Sequence, residues 1–140
     1  MTTSNRNDWN TQVIEEFRAN QGQVRQFGRA LVLLTTTGAR SGRPVTAPVM
    51  YHREGNRLYV FASKGGAPTN PAWYHNLVAH PDVTVETGTE TFPARATVLQ
   101  GAERDRIYAA HAAQYPQFAE YQQKTSRTIP VIALERADAA

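Results

Sequence analysis

The chain has 140 residues, enough for one domain with a proper core. Its apolar fraction of 41% is that of an ordinary globular protein, and the absence of cysteine removes disulfides, thiolate nucleophiles, zinc–thiolate sites and iron–sulfur clusters. A net charge of +3 suits an anionic ligand, but no helix carries a dense Lys/Arg stripe and no aromatic-rich RNA-binding motif is present, which argues against nucleic acid.

The N-terminal residues Met1 to Asp8 contain no apolar stretch of the kind that opens a signal peptide. No apolar run approaches the ~20 residues needed to span a bilayer. The expectation is a cytoplasmic protein, at most peripheral to the inner face of the membrane. Residues 9 to 20 read as an amphipathic helix, with Trp9, Val13 and Phe17 at four-residue spacing, Ile14 beside them, and Glu15, Glu16 and Arg18 outside the stripe. Its polar face is not basic, so packing on the domain is favoured over membrane contact. Residues 20 to 28 form a polar connector. Residues 1–28 are thus expected to be a helical arm, and 29–140 the main domain.

Strands are expected at Ala30–Thr36, Val45–Arg53 and Arg57–Ala62, the last two joined by a hairpin turn at Glu54-Gly55-Asn56. A loop follows, and then a helix with Asn70 as N-cap and Pro71 in its first position. That helix ends before His80-Pro81, because proline disfavours helical geometry in its predecessor. A second hairpin joins Val83–Thr87 to Thr91–Leu99 through Gly88-Thr89. Helices at about Ala102–Ala113 and Gln117–Gln123 precede a final strand, Ile129–Glu135. The tail from Ala137 to Ala140 is expected to fray. Short hairpins with two interposed helices and a closing strand suggest a mainly β (α+β) fold, a small antiparallel barrel with flanking helices.

Two segments carry chemistry. Ser63 through Leu77 leave a strand, turn through Gly65 and Gly66 beside Lys64, and enter a helix with Trp73 and Tyr74 near its start. Such a junction offers backbone N–H groups and a positive helix end to an anion, next to apolar ring surface. Thr35 through Pro44 form a tight reversal in which Gly38 and Gly42 permit the turn, Ser41 bonds locally, and Arg40 and Arg43 project as donors for phosphate or carboxylate. None of the four histidines reads as a metal ligand: His75 and His80 would not share a helical face, His52 lies mid-strand and His111 in a polar helix.

In this order, T-T-T-G-x-[KR]-S-G-x-P, a strand ending A-S-K-G-G, and N-P-x-W-Y-x-N-L resemble the deazaflavin-dependent nitroreductase family. The likeness continues through Tyr115 to Gln122 and Arg127 to Val131, so it covers about Val13 to Leu134. It implies a split β-barrel like that of FMN-binding pyridoxamine-phosphate-oxidase proteins. It also implies a reductase in which reduced coenzyme F-420, a deazaflavin with a phosphate and a glutamate tail, gives hydride to quinones, nitroaromatics or activated enones. In such a protein the cofactor carries the hard step, while the chain binds, orients and excludes water.

Carried over by position, the resemblance implies cofactor contacts at Ala39, Arg40 and Ser41, then at Val45, Thr46, Ala47, Pro48, Val49 and Met50. A third group is Phe61, Ala62, Ser63 and Lys64, and a fourth Ala72, Trp73, Tyr74, His75 and Asn76. Arg40 and Lys64 are expected at the phosphate and tail, Ser63 at the reactive edge of the ring as the catalytic residue, and Asn76 with the Ala72 backbone at polar edges of the cofactor. Tyr115, Phe118 and Tyr121 are expected to stack on a flat acceptor.

Three positions depart from the pattern. Family members often carry basic residues where this chain has Ala39 and Val45, and two lost contacts weaken anion binding by ~1–3 kcal/mol each if desolvated, with Arg43 able to replace one. Phe118 lacks the hydroxyl that nitroimidazole-reducing members place there. Two alternatives remain at this point: an FMN enzyme on the same barrel, and a non-catalytic carrier of a cofactor or other small ligand.

Overall fold

A computed structural model describes residues 5 to 137, with side chains from Trp9 onward. Of the tail expected to fray, Ala137 donates its N–H to the Pro93 carbonyl at 2.9 Å, and residues 138–140 lie outside the described part. The elements are α1 (Asn5–Ala19), β1 (Leu31–Thr37), β2 (Pro44–Glu54), β3 (Arg57–Phe61), α2 (Ala72–Ala79), β4 (Asp82–Glu86), β5 (Thr91–Val98), α3 (Gly101–Gln114), α4 (Gln117–Lys124) and β6 (Val131–Arg136). The strands close into an antiparallel barrel in the order β1-β2-β3-β6-β5-β4, with β4 returning to pair with β1. Every expected strand and helix is present; most ends shift by at most two residues, and α1 begins at Asn5, four residues before its expected start.

Side-chain alternation explains why the strands close this way. Val32 and Leu34 of β1, Leu58 and Val60 of β3, and Ile132 and Leu134 of β6 point into the barrel, joined by Val83, Val85, Phe92, Ala94 and Ala96. The opposite faces are covered too. Leu31 and Leu33 pack under Val13 and Phe17 of α1, while Tyr59, Phe61, Val131 and Ala133 pack under Ile107, Tyr108 and Phe118 of α3 and α4. Strands buried on both faces therefore read as continuous apolar runs, whereas β5, covered on one face, alternates cleanly.

Trp9 does not share the burial of its stripe. It is 42% exposed and meets Phe27 edge-on at 6.1 Å between ring centroids. The connector is also more structured than its polarity suggests, because Val24 is buried and pairs with Gly28 in an isolated bridge. The capping of α2 differs as well. Pro71 is the N-cap, in extended geometry, and Asn70 lies one residue outside the helix. The Asn70 Oδ1 instead accepts a 2.6 Å hydrogen bond from Arg127 Nη1, a charged donor that outcompetes a neutral backbone amide. No helix among the described residues is long and apolar enough to cross a membrane.

Candidate functional site

The strand β2 is half-exposed along most of its length, unlike the well-covered β1, β3 and β6. Beside it lies a cavity of about 240 Å³, lined by Pro48, Val49, Met50, Phe61, Ser63, Lys64, Gly65, Pro71, Trp73, Phe118 and Tyr121. Four separate stretches of sequence meet there: mid-β2, the end of β3 with its following loop, the start of α2, and α4. The walls are mostly apolar and aromatic, and the polar groups enter from the Ser63–Gly65 side. That division suits a flat ring with one polar end.

The loop from Ser63 to Asn70 has a backbone that could take an anion. Lys64, Gly65 and Gly66 all have positive φ (49°, 64° and 84°) and follow Ser63 in right-handed geometry. The Gly66 and Ala67 N–H groups turn inward to Ser63 and Lys64 carbonyls. Those of Lys64 and Gly65 have no partner among the described residues. Successive N–H groups through a right-to-left-handed turn form an anion-binding concavity. Glycine is needed at 66 for a second reason: a Cβ there would stand 2.8 Å from the Tyr121 carbonyl oxygen.

Charge agrees with this geometry. Residues 30–53 and 57–81, which supply the β1–β2 hairpin, the loop and α2, contain no aspartate or glutamate. Arg40 and Arg43 are exposed and have no ion-pair partner among the described residues, and Lys64 Nζ donates only to the Thr69 hydroxyl at 3.2 Å. Elsewhere on the surface several arginines are paired, as in Arg18–Glu86, Arg106–Glu54 and Arg95–Asp82, while Arg25, Arg29 and Arg53 have no ion pair among the described residues.

The expected site residues divide into groups. Pro48, Val49, Met50, Phe61, Ser63, Lys64, Trp73, Phe118 and Tyr121 come together on the cavity. The Ser63 side chain is nearly buried, and its hydroxyl has no partner among the described residues. Ala39, Arg40, Ser41, Val45, Thr46 and Ala47 lie in the adjoining β1–β2 hairpin, outside the cavity lining. Tyr115 stands apart from the other two aromatics, in a separate hollow with Tyr51 and His52. Ala62 is fully buried and Ala72 exposed; Tyr74 packs against the barrel core, and His75 is exposed.

Asn76 is buried and spends its carboxamide inside the protein. Its Oδ1 accepts from the Ala39 N–H at 2.9 Å and its Nδ2 donates to the Thr36 hydroxyl at 3.1 Å. It therefore clamps the β1–β2 turn to α2.

Two residues of the site were not singled out by the sequence reading. Arg127 hydrogen-bonds the loop from beneath, through the Ala67 and Ser63 carbonyls. His111 is fully buried and stacked 4.1 Å from Phe61, with Phe118 at 4.4 Å and Tyr115 at 5.0 Å, and neither ring nitrogen has a hydrogen-bond partner among the described residues. Burial, with the nearby His52 adding to it, pushes its pKa down to about 4, so the ring is neutral behind the aromatic wall at pH 7. Tyr108 fixes that wall by donating its hydroxyl to the Phe118 carbonyl. Alanine-rich surroundings gave the α3 sequence no stripe that marks His111 as buried.

The sequence model of the family described as F420H(2)-dependent quinone reductase matches residues 9–136. An F420H(2)-dependent quinone reductase of Mycobacterium tuberculosis is 40% identical over 108 residues, covering 75% of this chain and 72% of that protein. Among solved structures, an F420-H2 dependent reductase superposes with a TM-score of 0.71 at 44% identity, covering 76% of this chain and 95% of the other. A chain described as a domain-swapped dimer gives 0.73 at 40% identity, covering 93% and 99%. A pyridoxamine-5′-phosphate-oxidase-like protein of Listeria innocua gives 0.58 at 14% identity, covering 89% and 93%, a likeness of fold alone.

Proposed function

The chain belongs to the F420H(2)-dependent quinone reductase family, and on that premise we propose that it reduces a planar acceptor in the cavity beside β2. When bound, reduced coenzyme F-420 supplies a hydride and the protein need only hold, orient and dehydrate the reacting pair. The observation that carries this reading is the acid-free cavity itself, with aromatic walls and a loop of free N–H groups at one end. Lys64 and Arg40 supply charge for the phosphate and tail, and Arg43 takes part of the load left by Ala39 and Val45. Pro48, Val49, Met50 and Trp73 line the ring, and Phe118 and Tyr121 stack on the acceptor. The unbonded Ser63 hydroxyl is the hydrogen-bonding group at the reactive edge. Quinones fit this wall better than nitroimidazoles, because Phe118 offers a ring without a hydroxyl.

A cytoplasmic location is in keeping with use of an intracellular hydride donor, and the swapped dimer of a relative makes a dimer the assembly to look for. The division into an arm of residues 1–28 and a main domain of 29–140 is supported by α1, whose Val13 and Phe17 dock on the barrel. Steady-state reduction of menadione tests the site. Lys64→Gln and Arg40→Gln are each expected to raise KM for F-420 about fivefold to a hundredfold, as loss of a charge-assisted contact does. Ser63→Ala is expected to lower kcat with little change in KM. Unchanged kinetics in all three variants would place the site elsewhere.

A further inference from the structure

Arg127 lies in the segment between α4 and β6, 57 to 65 residues from the groups it binds. Its Nε donates to the Ala67 carbonyl at 2.9 Å, Nη1 to the Ala62 carbonyl at 3.1 Å and the Asn70 Oδ1 at 2.6 Å, and Nη2 to the Ser63 carbonyl at 2.9 Å. One guanidinium thus holds both ends of the loop. It is itself held, since its carbonyl accepts from Gln122 Nε2 at 2.7 Å and its N–H donates to the Thr125 hydroxyl. Lys124 adds a bond from its Nζ to the Gly65 carbonyl at 3.3 Å. Loop carbonyls drawn inward leave the Lys64 and Gly65 N–H groups without partners.

No carboxylate pairs with Arg127 among the described residues; all its side-chain acceptors are neutral oxygens. A partly desolvated cation without a counter-ion leaves positive potential beneath the loop. A carboxylate at that point would neutralise it, and the acid-free stretches on either side show none.

We propose that Arg127 is the positioning residue of the anion site, holding the Ser63–Asn70 loop so that its N–H groups face the cofactor's phosphate, which completes the charge Arg127 leaves unpaired. This rests on the reading that the loop takes the phosphate end of F-420. Arg127 acts through the loop rather than on the ring, so its removal affects recognition of the tail and spares recognition of the deazaflavin.

The test compares binding of F-420 with that of the deazaflavin riboside, which lacks phosphate and glutamates, to the parent protein, Arg127→Lys and Arg127→Gln. The expected result is tighter binding of F-420 than of the riboside by the parent, and an approximately tenfold or larger loss of F-420 affinity in Arg127→Gln. Riboside affinity is expected to change by less than about twofold, and Arg127→Lys to recover part of the loss by restoring charge without the fork. Amide exchange of the ligand-free proteins supplies the second reading: in Arg127→Gln, protection is lost at Gly66 and Ala67 while the barrel strands keep theirs. Parallel loss of both ligands would make Arg127 merely structural, and unchanged F-420 affinity would remove its role. Equal binding of both ligands by the parent would overturn the loop assignment and this proposal with it. Should Arg127→Gln fail to fold, Arg127→Lys decides on the same two ligands.

Discussion

Asn76 and His111 are both buried polar side chains, but their settings ask opposite things of them. Asn76 is fully engaged, joining α2 to the β1–β2 turn through Ala39 and Thr36. Asn76→Leu keeps roughly the volume and strands both partners, so it is expected to cost about 2 kcal/mol in chemical denaturation and to weaken F-420 binding. The resemblance implied a cofactor contact at this position, whereas its use as a clamp depends on a contact across 37 residues that no local pattern shows. His111 has no hydrogen-bond partner among the described residues, and its depressed pKa of about 4 makes stability depend on pH. Between pH 6.5 and 4 the unfolded chain takes up a proton that the folded ring refuses. Stability is therefore whole above 6.5 and falls as the pH drops toward 4, by up to about 3 kcal/mol. His111→Leu is expected to flatten that slope in a comparison of Tm against pH; an unchanged slope would mean another group is responsible.

The Ser63–Asn70 loop shows at the scale of an element how local signals and distant ones combine. Its glycines and lysine announced a turn, and the backbone makes one, with positive φ at residues 64 to 66; the anion they also announced belongs to the proposed function. The capping of α2 departs from its sequence signal, since Asn70 offers the local chemistry of a cap while Arg127, 57 residues on, takes its oxygen. The strands were legible for a simpler reason. β5 alternates, and the apolar runs of β1, β3 and β6 are bounded by turn residues, so period and length agree. The two adjacent glycines of the loop separate backbone strain from packing. A Cβ at Gly65 meets nothing within 4 Å, so Gly65→Ala is expected to cost about 1–2 kcal/mol through its left-handed backbone alone. Gly66→Ala adds a clash with the Tyr121 carbonyl and is expected to be the more destabilised of the two and to bind F-420 less tightly. Equal effects in denaturation and in titration would show that α4 does not seat the loop.

For the whole molecule, the barrel supplies the scaffold and its half-exposed strand β2 flanks the proposed site. α1 closes the barrel's other flank, with Phe17 buried against Leu31 and Leu33 and Arg18 gripping Glu86 through bonds of 3.0 and 2.7 Å. Phe17→Ala is expected to cost about 3–5 kcal/mol by thermal or chemical unfolding, since a large core side chain is lost. A loss under about 1 kcal/mol would make the arm independent of the barrel. The claim on which all of this depends is that the acid-free cavity beside β2 recognises a deazaflavin with an anionic tail. Fluorescence titration of the ligand-free protein with oxidised F-420, FMN and FAD tests it most directly. Micromolar or tighter binding of F-420, with FMN and FAD held at least about tenfold more weakly, is the predicted result. Tighter binding of FMN, or of none of the three, would contradict it.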